Sequence, residues 1–253
     1  MNEEKTKGLN GNQLKLIAIA AMTLDHLVCV IFPNFPKTWW IICLHIIGRI
    51  AAPTFWFMVA EGYFYTKNIK AYLLRLGIFA VISHFAYNFA FGIPFVPFKT
   101  TVFNQTSVIW TLFIGVLALT LTDQRYFNLK HWQKVLVVWG ATILAFCADW
   151  SCIAVLAIVD IYYNRGNLNK QVFNMMKWVL LYVIVYFLFI DKVYGLIQLG
   201  VILVFPLMAN YNGQRGKWKG MKWFFYIYYP LHLVICGIIR IALHGNTGVL
   251  IGA

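Results

Sequence analysis

Residues 14–32 read LKLIAIAAMTLDHLVCVIF, from Leu14 to Phe32. A helix that crosses a bilayer needs about 20 largely apolar residues, and this run supplies them. Asp25 and His26 lie inside it. A charge at the centre of a hydrocarbon layer costs roughly 2.5–3.5 kcal/mol on insertion scales, so such groups face a protein interior and mark function. The rest of the chain is expected to supply this pair with neighbours.

Composition extends the same reading. The 253 residues are 61% hydrophobic and only 11% charged, with a mean hydropathy of +0.71. A soluble domain carries about 25% charged residues. The expectation is therefore an all-α fold, a polytopic transmembrane helix bundle forming one domain over residues 1–253. Apolar segments recur at 14–32, 40–64, 72–93, 104–122, 134–148, 150–164, 174–190, 193–210 and 223–243, which gives about nine helices. The fifth and sixth are short and close together. The first run is too long for the apolar core of a leader peptide, about 7–15 residues, and it contains charges, so it reads as a membrane span.

The formal net charge is +13. Lys7, Lys67, Arg125, Arg165 and Arg215 fall on the N-terminal side of alternate segments, against Lys37, Lys99, Lys192 and Arg240 on the other. That bias obeys the positive-inside rule and places the N-terminus in the cytoplasm and the C-terminus outside. With membrane topology accounting for the charge and no groove-binding motif present, the partners expected are membrane lipids and no nucleic acid. The five cysteines are odd in number and show no CxxC, so free thiols are expected. No HExxH or similar metal spacing occurs, no metal is expected, and no P-loop or GxSxG is present.

Depth, counted at 1.5 Å per residue, groups the intramembrane polar residues. Asp25 and His26 lie about 16–18 Å along the first segment, Arg49 about 13 Å into the second, His84 about 18 Å up the third and His232 about 14 Å up the ninth. Four segments thus bring titratable groups near the middle of a core about 30 Å thick. Adjacent helical residues point about 100° apart, so Asp25 cannot easily serve His26, and Arg49 on another helix is its natural partner. His45, Arg49, Ala52 and Trp56 share a face, and Pro53 cannot bond the Arg49 carbonyl. His84, Tyr87 and Asn88 share another, as do Phe225, Tyr229, His232 and Cys236 beside Pro230. One alternative is a structural cluster in which Asp25 and Arg49 neutralise each other.

These residues carry a resemblance. LNGNQLKLIAIAAMTLDH at 9–26, IIGRIAAPTFWFMVAEGYFYTKNIKAYLLRLGIFAVISH at 46–84 and FFYIYYPLHL at 224–233 resemble the TraX family of integral membrane proteins, whose namesake acetylates the N-terminus of conjugative pilin. The resemblance spans nearly the whole chain. It implies a bacterial inner-membrane acetyltransferase that draws on acetyl-CoA from the cytoplasm. On its motif positions Asp25, His26, Arg49 and His232 are the expected catalytic residues. Glu61, His84, Asn88 and Tyr229 are expected at the acceptor. Lys67, Lys70 and Arg75 are expected at the acetyl-CoA phosphates. The acceptor implied is a peptide or pilin-like N-terminus, or a small amine or sugar. Two other classes use the same cluster: a proton-coupled transporter or channel, and a non-catalytic assembly factor.

Overall fold

The structure, a computed structural model, describes residues 7–99 and 102–249. Both ends of the single-domain reading, and the C-terminus placed outside, thus reach beyond the described residues. Those residues are all helical, with no strand and two isolated bridges, Leu9 to Tyr211 and Thr106 to Ala148. The helices are α1 (Gly11–Ile31), α2 (Trp39–Gly48), α3 (Ala51–Tyr65), α4 (Ile69–Phe91), α5 (Val108–Thr122) and α6 (His131–Ala145). They continue with α7 (Ser151–Tyr163), α8 (Leu168–Phe189), α9 (Lys192–Ile197), a 3₁₀ stretch (Gln198–Val204), α10 (Phe205–Ala209) and α11 (Met221–His244). Among the described residues six helical stretches are long and apolar enough to cross a membrane: 11–31, 39–65, 69–91, 168–189, 192–209 and 221–244. Helices α5, α6 and α7 are shorter.

Local chemistry sets the limits of these helices. Asn10 caps α1: its side chain accepts from the amides of Asn12 and Gln13, and the Gln13 side chain returns a bond to the Asn10 amide. Those bonds satisfy orphan donors of the first turn. Pro33 follows the last turn and stops it. The second stretch breaks at Arg49 and Ile50, so α2 and α3 are two helices, with Pro53 in the first turn of α3. The fifth, 192–209, tightens into a 3₁₀ helix over seven residues, longer than such helices usually run.

Large apolar side chains face outward all round, among them Leu74, Trp139, Ile143 and Phe189. In water such a surface would aggregate; in lipid it is the solvated face. The core is aromatic, with Trp56, Tyr63, Tyr87, Tyr186 and Tyr229 fully buried. All five cysteines are free; Cys236 is buried and Cys43 exposed.

Two ends of the bundle are distinct. At one, Gly11 donates to the Gln214 carbonyl at 2.7 Å, Arg165 bonds Glu61 at 2.7 Å, and Asp123 accepts from Tyr63 at 3.0 Å and from Arg125. At the other, Lys37 pairs with Asp191 at 2.6 Å, Gln105 donates to the Cys147 carbonyl at 2.7 Å and His244 meets the Val30 carbonyl at 3.0 Å. Arg240 ties this end together on the carbonyls of Phe89, Ala90, Gly245 and Thr247.

Candidate functional site

Helix α1 packs between the α2–α3 pair and α11, which brings three polar faces into one place. Gly48 permits the first approach: a Cβ on it would lie 2.5–2.7 Å from Asp25 atoms. Across this contact one Arg49 nitrogen, Nη2, donates to both Asp25 oxygens, at 2.7 and 2.5 Å. His45 Nδ1 lies 2.8 Å from Asp25 Oδ1. The pair is taken out of water, and its Coulomb attraction is strong there. The other guanidinium nitrogens are used too: Nε donates to the His45 carbonyl at 3.2 Å and Nη1 to Gln198 Oε1 at 3.1 Å. Trp150 and Tyr194 offer their ring faces to the cation at 5.7 and 5.8 Å.

The second pair is His26 with His232. Their Nδ1 and Nε2 atoms are 2.8 Å apart and the rings are 5° from parallel. The tautomers follow from the hydrogen-bond network. His232 Nδ1 lies 3.1 Å from the Tyr228 carbonyl, which can only accept, so Nδ1 carries the proton. In the neutral ring Nε2 then accepts from His26 Nδ1. His26 Nε2 is left with a lone pair and no hydrogen-bond partner among the described residues. Thr23 and Tyr228 reinforce this seam through their hydroxyls at 2.9 Å.

A cavity of about 50 Å³ lies against Asp25, His26, Arg49, Asp149, Tyr87 and Phe55. A second, of about 680 Å³, opens between the starts of α1, α4 and α11 and the end of α3. Lys15, Lys67, Arg75, Arg215 and Lys222 line it, as do the aromatic rings of Tyr72, Tyr211 and Tyr226. Arg75 Nε is buried there without a partner. Phe55 lines both cavities.

The expected residues therefore divide. Asp25, His26 and Arg49 share the small cavity, and His232 supports His26 from behind. Tyr229 stands edge-on to the His232 ring, with its hydroxyl turned toward Ser107. Lys67 and Arg75 line the large cavity; Lys70 is exposed outside it. Glu61 lines the large cavity too, ion-paired to Arg165. His84 and Asn88 face neither cavity. His84 lies 2.8 Å from the Phe95 carbonyl and Asn88 donates to the Pro94 carbonyl at 2.9 Å, so both fasten the loop after α4. Their depth along α4 matches the site, but the helix turns them away from it.

Several neighbours were not expected as site residues. His45 is one turn before Arg49, and that spacing signals it. Gln198 is an amide amid an apolar segment, which signals a buried partner. Asp149 comes from a turn that dives inward. Trp150 and Ser151 there have φ of +61° and +46°, values that cost non-glycine residues about 1–3 kcal/mol each. The turn is held by Asp149 N–H to the Thr106 carbonyl and Ser151 Oγ to the Phe146 carbonyl, both 2.8 Å. The gap between the segments at 134–148 and 150–164 marks the turn, but no local sequence signal announces its inward course. Asp25, Cys29 and His45 each bring a ligand-type atom within 4.8 Å of the others. A metal ion there would have to displace the Arg49 guanidinium from the Asp25 carboxylate.

Comparison with known proteins agrees with these blocks. The chain is 27% identical over 230 residues to "Probable fimbrial assembly protein FimC, serogroup H1" of Dichelobacter nodosus, covering 88% of this chain and 92% of that one. No solved structure matches it significantly. The family model described as TraX protein matches residues 10–240, from the cap of α1 to Arg240 of α11, and the chain belongs to the TraX family.

Proposed function

We propose that this protein is a multi-pass acetyltransferase of the bacterial cytoplasmic membrane. It moves an acetyl group from cytoplasmic acetyl-CoA to an amine, with a peptide N-terminus as the leading candidate. One observation carries the reading: a cation-ringed cavity of about 680 Å³ and a small cavity holding His26 and Arg49 share a lining residue, Phe55. The volume is in the range of small-molecule sites, about 300–1,000 Å³. The positive-inside rule puts that cavity on the cytoplasmic side.

In this scheme the phosphates meet Lys15, Lys67, Arg75, Arg215 and Lys222, and the rings of Tyr72, Tyr211 and Tyr226 offer stacking faces. The pantetheine arm passes Phe55 and presents the thioester to the small cavity. His26 Nε2 takes the acceptor's proton as the amine attacks the thioester carbon. Arg49, held on Asp25 and Gln198, supplies fixed positive charge for the developing oxyanion. His232 keeps the base in its tautomer.

The test is thermal stabilisation of the detergent-solubilised protein. Acetyl-CoA or CoA should raise the melting temperature, because ligand binds the folded state, and ATP at equal concentration should raise it less. No shift at millimolar acetyl-CoA in folded protein would sink the reading. Ion or solute flux in liposomes without acetyl transfer would put the protein among transporters.

A further inference from the structure

We propose that Asp149 is the seat of the acceptor's ammonium group, the residue that makes the small cavity select amines. The proposal deepens the acetyl-transfer reading and rests on it.

The small cavity has two carboxylates and one guanidinium, from Asp25, Asp149 and Arg49. Arg49 gives its hydrogen bonds to Asp25, His45 and Gln198. Asp149 is in no ion pair among the described residues, and its carboxylate has one partner, the amide of Trp150. Arg49 acts on Asp149 without a hydrogen bond between them and is already paired with Asp25, so the two carboxylates outnumber the one guanidinium, and a carboxylate without a paired counter-charge in an apolar bundle is held there at a cost. An ammonium group satisfies it through charge-assisted hydrogen bonds, at a cavity of about 50 Å³ that suits a small head group rather than a bulky one.

Asp149 also approaches from the correct side. Its turn pairs with Gln105 and Thr106, at the bundle end opposite the cation-ringed cavity. Donor and acceptor thus enter from opposite ends and meet beside His26. The strained backbone at Trp150 and Ser151 serves two contacts at once: it lays the Trp150 ring over Arg49 and points Asp149 into the cavity.

Proton accounting needs a second base. An amine at neutral pH arrives as an ammonium ion, with two protons to lose before it becomes an amide. Asp149 takes the first, leaving a neutral amine. The nitrogen lone pair forms the C–N bond, His26 Nε2 takes the second proton, and the C–S bond breaks. The thiolate leaves with the proton returned by His26. The products are the amide, the free thiol of CoA and one proton released from Asp149. A hydroxyl acceptor has one proton to lose and no use for Asp149.

The experiment uses the full chain in detergent with two probes, trialanine amide with a free N-terminus and its N-acetylated twin. The free peptide should raise the melting temperature of the wild type and the blocked one should not. Asp149→Asn should abolish that rise, keep the acetyl-CoA shift, and raise KM for the free peptide about tenfold to a hundredfold. Asp149→Glu keeps the charge and should retain part of the peptide shift, which covers the case where the Asn variant fails to fold. An unchanged peptide shift and KM in Asp149→Asn would overturn the proposal, as would equal binding of both peptides to the wild type. A wild type that binds free peptide through Asp149 but not acetyl-CoA would remove the acetyltransferase and leave the ammonium seat.

Discussion

His26 and His232 are identical in type, and the Tyr228 carbonyl makes them different. It fixes the proton of His232, which fixes that of His26, and one free lone pair results. His26→Ala should therefore lower the rate of CoA release about 10²–10⁴-fold, the span of a general base. His232→Gln, whose amide oxygen still accepts from His26, should cost far less. Equal losses in the two variants would mean that the roles are not divided this way. Arg49→Ala strands Asp25 in the interior and should destabilise the protein by about 3–5 kcal/mol in a denaturation series. Adding Asp25→Asn should restore part of that, because the two residues are coupled. The sequence made Asp25, Arg49 and the two histidines visible, because charges are conspicuous in an apolar chain and depth follows from counting. It hid azimuth. On α4 large apolar residues lie on every side of His84, so nothing in the sequence tells that it turns to the Phe95 carbonyl rather than inward.

At the scale of elements, irregularity makes the site. The α2–α3 break frees backbone around Arg49, the 3₁₀ stretch delivers Gln198, and the Ala148–Ser151 turn delivers Asp149. A bend was legible through Pro53 and the position of the turn from the gap between the fifth and sixth segments, whereas the inward course of the turn was not, since its left-handed residues are Trp and Ser rather than Gly. Gly48 is the tight joint between α1 and α2. Gly48→Ala must push α2 away from α1, because the new methyl group would meet Asp25 within 2.5–2.7 Å. The expected outcome is a lower melting temperature together with lost acetyl transfer; a variant with normal activity would show that the joint has slack. Asp123 links α3, α5 and α7 outside the long spans. Burial raises its carboxyl pKa, but hydrogen bonds from Arg125 and Tyr63 outweigh that and hold it below the ordinary value. A depressed pKa contributes stability that is full above the unfolded value, about 4, and is lost as pH falls through the folded one. Asp123→Asn should flatten the acid side of the stability profile below about pH 4.

For the whole molecule, the uneven spread of charge ties topology to chemistry. Some of the cations that fix orientation, Lys67 and Arg215 among them, also line the large cavity, so in the proposed scheme they serve both insertion and binding. Lys67→Ala with Arg75→Ala should weaken acetyl-CoA binding and flatten its salt dependence, as titrations at rising salt would show. If affinity is unchanged, the cations serve topology alone. Phe55 has a consequence of another kind. A membrane enzyme that works from both sides threatens the cell's electrical insulation, because a water-filled path leaks protons. In the proposed scheme the Phe55 ring, which lines both cavities, lets a flexible thioester arm slide past while keeping water on the two sides apart. Liposomes carrying Phe55→Ala should lose a pH gradient faster than those carrying the wild type. On this view the ring divides the protein into two half-channels, and only the two-carbon cargo crosses between them.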